Sequence, residues 1–209
     1  MTKVKICGIT NLEDARHAVE CGADMLGFNF YEKSPRNIAP QLAREIVEQV
    51  PSDICKVGVF VNMEEYRIDE CIDLIGLDAI QLHGDEDPAF VSDLRACTST
   101  KIIKAYRIKA QDGLPDALED GVDLALIDAF SQSVYGGSGV PLDWTLFTDL
   151  GRFRNRTILA GGLTPENVAE AIQTVRPYAV DVASGVESSP GKKDPAKVAA
   201  FIKAAKEAL

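Results

Sequence analysis

Lys5-Ile6-Cys7-Gly8-Ile9-Thr10-Asn11-Leu12-Glu13-Asp14 reads as a short apolar strand that turns through one glycine into a capped helix. Its turn separates two folds built from the same βα unit. A doubly wound open sheet that holds a dinucleotide places G-x-G-x-x-G after its first strand, and here the turn reads CGITNLED. The alternative is the same unit repeated until the sheet closes on itself.

The chain supplies the repeats. Short runs rich in Val, Ile, Leu and Phe recur from end to end: VKICGI, MLGFNF, CKVGVFV, AIQLHG, KIIKAYRI, LALIDAF, TILAGGL and AVDVASGV, eight in all. Amphipathic stretches lie between them, with starts marked by Thr10-Asn11, Pro40, Asn62, Asp87-Pro88 and Thr164-Pro165. Ser, Thr, Asn and Asp accept from exposed N–H groups of a first helical turn, and proline there gives up a donor the helix does not use. The fifth crossover, QDGLPDALED, is too short and weak for a full helix. Eight parallel strands with crossover helices close most simply into a (β/α)8 TIM barrel, and about 200 residues is the compact end of that fold.

With 209 residues, 46% of them hydrophobic, the chain can bury a full core, and no Pro/Gly/Ser linker interrupts the alternation. One catalytic domain spanning 1–209 is expected. No stretch approaches a membrane span, and the start MTKVKICGIT is too short and polar for a secretory leader, so a cytoplasmic protein is expected. Cys7, Cys21, Cys55, Cys71 and Cys97 are odd in number and form no CxxC pair, which fits reduced thiols better than disulfides or a zinc cluster. A net charge of −10 disfavours nucleic acid and anionic membranes as partners. An anionic small molecule would have to be gripped locally.

Barrels of this kind do their chemistry at the carboxyl ends of the strands. Of the five cysteines only Cys7 falls there; Cys21 and Cys97 sit at helix ends, Cys71 within a helix and Cys55 at the start of a strand. A lone strand cysteine is more often a packing residue than a catalyst. Asp128 and Asp181 are carboxylates at strand ends among apolar neighbours, costly unless they meet partners or substrate; each also reads as a structural aspartate capping the next loop. Gly161 and Gly162 end the seventh strand, and Ser184 and Gly185 follow the eighth. Glycines there let backbone N–H groups approach a phosphate, and a short helix after strand eight would aim its N-terminus at the same anion. His83 reads equally as a satisfied structural histidine and as a wall of the site. With His17 far off on the first helix, a transition-metal site and a metal-dependent epimerase are poorly supported.

In order along nearly the whole chain, KICGIT, GFNFYEKSPRNI, VGVFVN, QLHGDE, LIDAF, YGGSG followed by Asp143-Trp144, LAGGLTPENV and VDVASGVESSPGKKD closely resemble the phosphoribosylanthranilate isomerases of tryptophan biosynthesis. The resemblance implies an Amadori rearrangement of N-(5-phosphoribosyl)anthranilate to 1-(2-carboxyphenylamino)-1-deoxyribulose 5-phosphate, with no cofactor and no metal. It implies Cys7 as general base, Asp128 as general acid, Arg36 as the grip on the anthranilate carboxylate, and Gly161, Gly162, Ser184 and Gly185 as the phosphate loops. Asp181 matches the family's strand-eight aspartate, read here as positioning substrate hydroxyls. Leu142 replaces a phenylalanine expected before Asp143-Trp144, and Ala129 replaces the threonine common after the acid.

The implied chemistry sets requirements. An acid must protonate the ring oxygen, which a carboxyl can do if a partly apolar site raises its pKa. A thiol near pKa 8.5 needs its pKa lowered or a charged neighbour, and Lys5, on the same strand parity, is the candidate. An indoleglycerol-phosphate synthase would place a lysine and glutamate set at the strand ends, and a non-catalytic barrel would have lost Cys7, Asp128 or Arg36. The expected partner is a small phosphorylated substrate, with the chain a monomer or homodimer. GFNFYEKSPRN and SQSVYGGSG are the expected mobile loops.

Overall fold

The computed structural model of the chain describes residues 1–108, 120–129 and 151–209. Eight parallel strands close into one barrel: β1 (Lys3–Cys7), β2 (Met25–Asn29), β3 (Cys55–Phe60), β4 (Ala79–Leu82), β5 (Lys101–Ile108), β6 (Leu124–Ala129), β7 (Thr157–Ala160) and β8 (Ala179–Val182), with β8 pairing back onto β1. The eight runs expected from sequence are these eight strands; β1, β4, β7 and β8 end before the glycines of their runs, while Gly27 and Gly58 lie inside β2 and β3. Helices α1 (Leu12–Glu20), α2 (Pro40–Val47), α3 (Glu65–Ile75), α4 (Pro88–Cys97), α5 (Val168–Val175) and α6 (Pro195–Lys206) accompany them. A short hairpin of β9 (Glu187–Ser189) and β10 (Lys192–Lys193) is inserted between β8 and α6.

Local chemistry accounts for most boundaries. Asn11 caps α1 by accepting from the Asp14 N–H, and Asp87 caps α4 by accepting from the Phe90 N–H, with Pro88 in the first turn. Two expected starts shift. Asn62 does not open α3, which begins at Glu65; Asn62 takes a left-handed φ of 49° and its side-chain oxygen accepts from the Asp85 N–H, tying the loop after β3 to the loop after β4. Thr164-Pro165 form a turn ahead of α5, closed by the Thr164 N–H donating to Asn167 Oδ1, and the helix begins at Val168. The fifth-crossover residues 111–119, the SQSVYGGSG segment and Leu142, Asp143 and Trp144 lie outside the described residues.

Strand alternation divides the core into two. One apolar cluster, with Val4, Ile6, Leu26, Phe28, Ile80 and Ile127, faces the helices; the other, with Met25, Val57, Ala79, Ile103, Leu126, Ile158 and Ala179, fills the barrel. On the inward parity above that apolar floor come Lys5, Gln81 and Asp181, and above these, at the carboxyl ends, Cys7, His83 and Asp128. Each fully buried Ile or Leu contributes about 1.5–3 kcal/mol, whereas a buried ion costs several kcal/mol before its partner repays it. The apolar layers therefore hold the barrel together. The charged layer above them calls for another explanation.

Candidate active site

Lys5 and Asp181 are register partners on β1 and β8, and their side chains meet at 2.9 Å. Lys5 is wholly buried and Asp181 is 8% exposed. The ammonium also lies beside the Cys7 thiol. Gly27 on β2 makes the room, since a Cβ there would lie 2.8 Å from Cys7 Sγ and 3.1 Å from Lys5 Nζ. Burial alone would pull Lys5 down, but the Asp181 charge, the nearby Cys7 and the hydrogen bond to Asp181 hold its pKa above the ordinary lysine value. The thiol departs from the lowering expected of it: burial pushes the Cys7 pKa up, and Asp181 adds to that, while Lys5 and Lys193 oppose it without winning. Lys5 is thus the charged neighbour that the sequence suggested, set against a larger desolvation cost.

Beside this pair lies a second charged cluster that sequence reasoning did not single out. Glu187, at the start of β9, accepts from Arg36 in a fork, Nε to Oε1 and Nη2 to Oε2, both at 2.7 Å. Lys193, at the end of β10, donates to Glu187 Oε1 at 3.1 Å, to the Cys7 carbonyl at 2.6 Å and to the Ala183 carbonyl at 3.2 Å. Burial works against the Glu187 charge, but Arg36 and Lys193 hold its carboxyl below the usual range. Burial lowers Lys193 more than Glu187 raises it. Two cations and one carboxylate leave a net positive spot in an acidic chain. Gly8, at φ 78°, lets Arg36 pass close beneath the end of β1, where a Cβ would sit 2.6 Å from Arg36 Cδ. Only the pairing of Arg36 with Glu187, 151 residues apart, reveals this cluster.

Across the mouth, His83 Nε2 lies 3.4 Å from Asp128 Oδ2, both side chains about a quarter exposed. Gln81 Nε2 lies 2.7 Å from His83 Nδ1. Arg107, the register partner of Asp128 on β5, donates to the His83 carbonyl at 2.8 Å. Buried Glu86 braces the same loop, accepting from the Asn62 N–H at 2.8 Å, the Gly84 N–H at 3.0 Å and Lys104 at 2.8 Å.

The glycine loops close the ring. Gly161 and Gly162 have φ of 86° and 65°, and nothing within 4 Å would meet a Cβ at Gly162, so the turn after β7 faces open space. Asn167 fixes it by donating to the Gly162 carbonyl. Gly185 answers a different need: a Cβ there would lie 1.9 Å from the Leu163 carbonyl oxygen, so it brings the loops after β7 and β8 together. The helix expected after β8 is a single 3-10 turn, Ser184–Val186. It is too short to develop a macrodipole and offers only its individual N–H groups.

Among the described residues no group of three or more His, Cys, Asp or Glu side chains is placed to hold a metal, and no helix is long and apolar enough to cross a membrane. A closed parallel barrel with a thiol, a carboxylate and glycine turns gathered at one rim defines a TIM-barrel enzyme of the phosphate-binding type. The profile of the N-(5'phosphoribosyl)anthranilate (PRA) isomerase family matches residues 4–204, and the chain belongs to that family. It is 50% identical to the N-(5'-phosphoribosyl)anthranilate isomerase of Geotalea uraniireducens over 99% of each chain. The crystal structure of phosphoribosyl anthranilate isomerase from Thermotoga maritima superposes with a TM-score of 0.86 at 42% identity over 99% of each chain, and a further structure describes that organism's isomerase as dimeric. An isomerase solved in complex with reduced 1-(o-carboxyphenylamino)-1-deoxyribulose 5-phosphate superposes with a TM-score of 0.82 at 40% identity, again over 99% of each chain.

Proposed function

We propose that Cys7 and Asp128 share the proton transfers of an Amadori rearrangement, Asp128 as general acid and Cys7 as general base. As a member of its family the chain is an isomerase of tryptophan biosynthesis, converting N-(5-phosphoribosyl)anthranilate to 1-(2-carboxyphenylamino)-1-deoxyribulose 5-phosphate. The observation that carries the assignment is the position of both groups at the carboxyl ends of β1 and β6, on the inward parity of one barrel.

Asp128 gives its proton to the ribose ring oxygen as the C1–O bond breaks, leaving a protonated imine at C1. That cation acidifies C2. The Cys7 thiolate removes the C2 proton, and the resulting enolamine tautomerises to the 2-keto product. Because burial raises the Cys7 pKa, most of the enzyme at neutral pH holds the thiol, and Lys5 lowers the cost of the minority thiolate by lying beside it. The electrostatic support is preformed, so no reorganisation is needed at the moment of transfer.

Arg36 keeps its Nη1 edge uncommitted among the described residues while Glu187 holds the other. That edge is offered to the anthranilate carboxylate. The N–H groups of Gly161, Gly162, Ser184 and Gly185 take the phosphate, His83 lines the wall beside Asp128, and Asp181 positions substrate hydroxyls from beneath. The likeness to the analogue-bound isomerase supports this polarity of binding. The described residues form one barrel, which supports 1–209 as a single catalytic domain, and the dimeric Thermotoga maritima isomerase supports a homodimer beside a monomer; we place the protein in the cytoplasm. A net charge of −10 disfavours nucleic acid or an anionic membrane as partner, and the local grips named here take a small phosphorylated substrate.

The test follows the fluorescence of phosphoribosylanthranilate as it disappears. Wild type turns it over, and Cys7→Ser and Asp128→Asn each lose roughly 10²- to 10⁴-fold in kcat, the usual share of a positioned acid or base. Rates near wild type in both variants would sink the assigned roles; no turnover by wild type would sink the function.

A further inference from the structure

Gln81 sits one inward layer below His83 on β4, 1% exposed, with its amide nitrogen 2.7 Å from His83 Nδ1. Its oxygen, Oε1, is buried with no hydrogen-bond partner among the described residues. A buried acceptor left unmade costs about 1–3 kcal/mol, and such a group asks for a reason. The reason lies in what the other end of the amide does.

We propose that Gln81 is a positioning residue that fixes His83 as the Nε2–H tautomer and so aims that N–H at Asp128 Oδ2. The Asp128 end sets the polarity, and the Gln81 end follows from it. For a neutral ring and Asp128 as a carboxylate, hydrogen on Nε2 turns a positive edge toward a group that only accepts 3.4 Å away, whereas a bare Nε2 would face it lone pair to lone pair. The neutral ring then has a bare Nδ1, which only accepts, and Gln81 must present its NH2. Turning the amide would set its oxygen on Nδ1, draw the hydrogen there and strip Nε2 of the donor. The unpaired Oε1 is the cost of keeping this order.

The consequence for the reaction rests on Asp128 being the acid. With Oδ2 facing the His83 N–H, the proton of the neutral carboxyl resides on Oδ1, so the acid delivers from one defined oxygen. When Asp128 becomes a carboxylate, the same N–H is already in place to stabilise it. His83 thereby gains a role that neither a packing residue nor a passive wall would have.

The experiment reads the ring nitrogens of His83 by 15N-edited NMR on the intact protein. The chain has two histidines, so a His17→Gln background leaves one signal. In that parent, at a pH where the ring is neutral, the expected spectrum has hydrogen on Nε2 and a bare Nδ1. Gln81→Glu, able only to accept, places hydrogen on Nδ1, and kcat falls on the order of 10-fold with KM little changed, the pattern of a lost transition-state interaction. Gln81→Met, similar in shape and without a donor, gives mixed tautomers and a smaller loss. Hydrogen on Nδ1 in the parent overturns the proposal without any variant. An unmoved tautomer in Gln81→Glu, or a moved one with full kcat, overturns it too. Retained activity in Asp128→Asn removes the acid reading itself, whatever the spectrum shows.

Discussion

The two sides of the barrel mouth solve opposite problems. On the β1 and β8 side, Cys7 sits over buried charges, Lys5 against Asp181 and Lys193 against Glu187, with a partly exposed Arg36 at their edge. On the β4 and β6 side, Asp128 is about a quarter open to water and meets an imidazole and, through it, a neutral amide. A base drawn from a thiol needs charge nearby, because burial otherwise holds it protonated. An acid drawn from a carboxyl needs direction, because its proton can sit on either oxygen. In the roles proposed for Cys7 and Asp128, charge supplies the first and the polarity of the His83 contact the second.

The comparison is broken most severely by Lys5→Met. It leaves Asp181 buried without its partner, for which about 3–5 kcal/mol of stability is the expected loss in chemical denaturation. The Cys7 thiol also titrates higher, read as the difference in thiolate absorbance from Cys7→Ser. Adding Asp181→Asn recovers most of the stability and leaves the thiol above its wild-type titration. A Cys7 titration unmoved by Lys5→Met would reduce that side to packing.

Arg36→Ala sharpens the contrast by separating grip from proton transfer. A charge-assisted hydrogen bond is worth about 1.5–3 kcal/mol, so KM rises roughly 10- to 100-fold while kcat is largely kept. An unchanged KM would place the anthranilate carboxylate elsewhere.

Glu187→Gln has the smallest effect and a distinctive pH signature. The folded carboxyl lies below its ordinary value of 4.5, so its contribution is full above that value and is lost as pH falls through the lower folded value. The stability gap between wild type and Glu187→Gln is therefore widest at neutral pH and closes in acid. A gap constant through the acid range would show that the fork with Arg36 carries no net stabilisation.

Much of this molecule was legible in its sequence because barrel strands announce themselves one at a time. Each is an apolar run ended by a glycine or a polar residue, and Asn11 and Asp87 mark helix starts with side chains that act locally. Asn62 misled for the same reason. Its cap-like identity serves a partner 23 residues away. Cys7, Asp128 and the glycine turns stood out by their places at strand ends, and the resembled family gave them roles and added Arg36. Glu187 and Lys193 stood inside one of those motifs, yet no local pattern distinguishes a buried ion pair from exposed hairpin charges. Gln81 carried a faint signal, an amide two residues before His83 on the inward parity of an apolar strand.

The sequence by itself determined the eight-fold repeat, the rim at which chemistry collects and the residue types available there, since strand parity and capping depend on neighbours along the chain. Only the tertiary structure decided which charges pair and what state the thiol rests in. Lys5 meets Asp181 across 176 positions, and burial, which no local pattern expresses, outweighs the lysine and raises the Cys7 pKa.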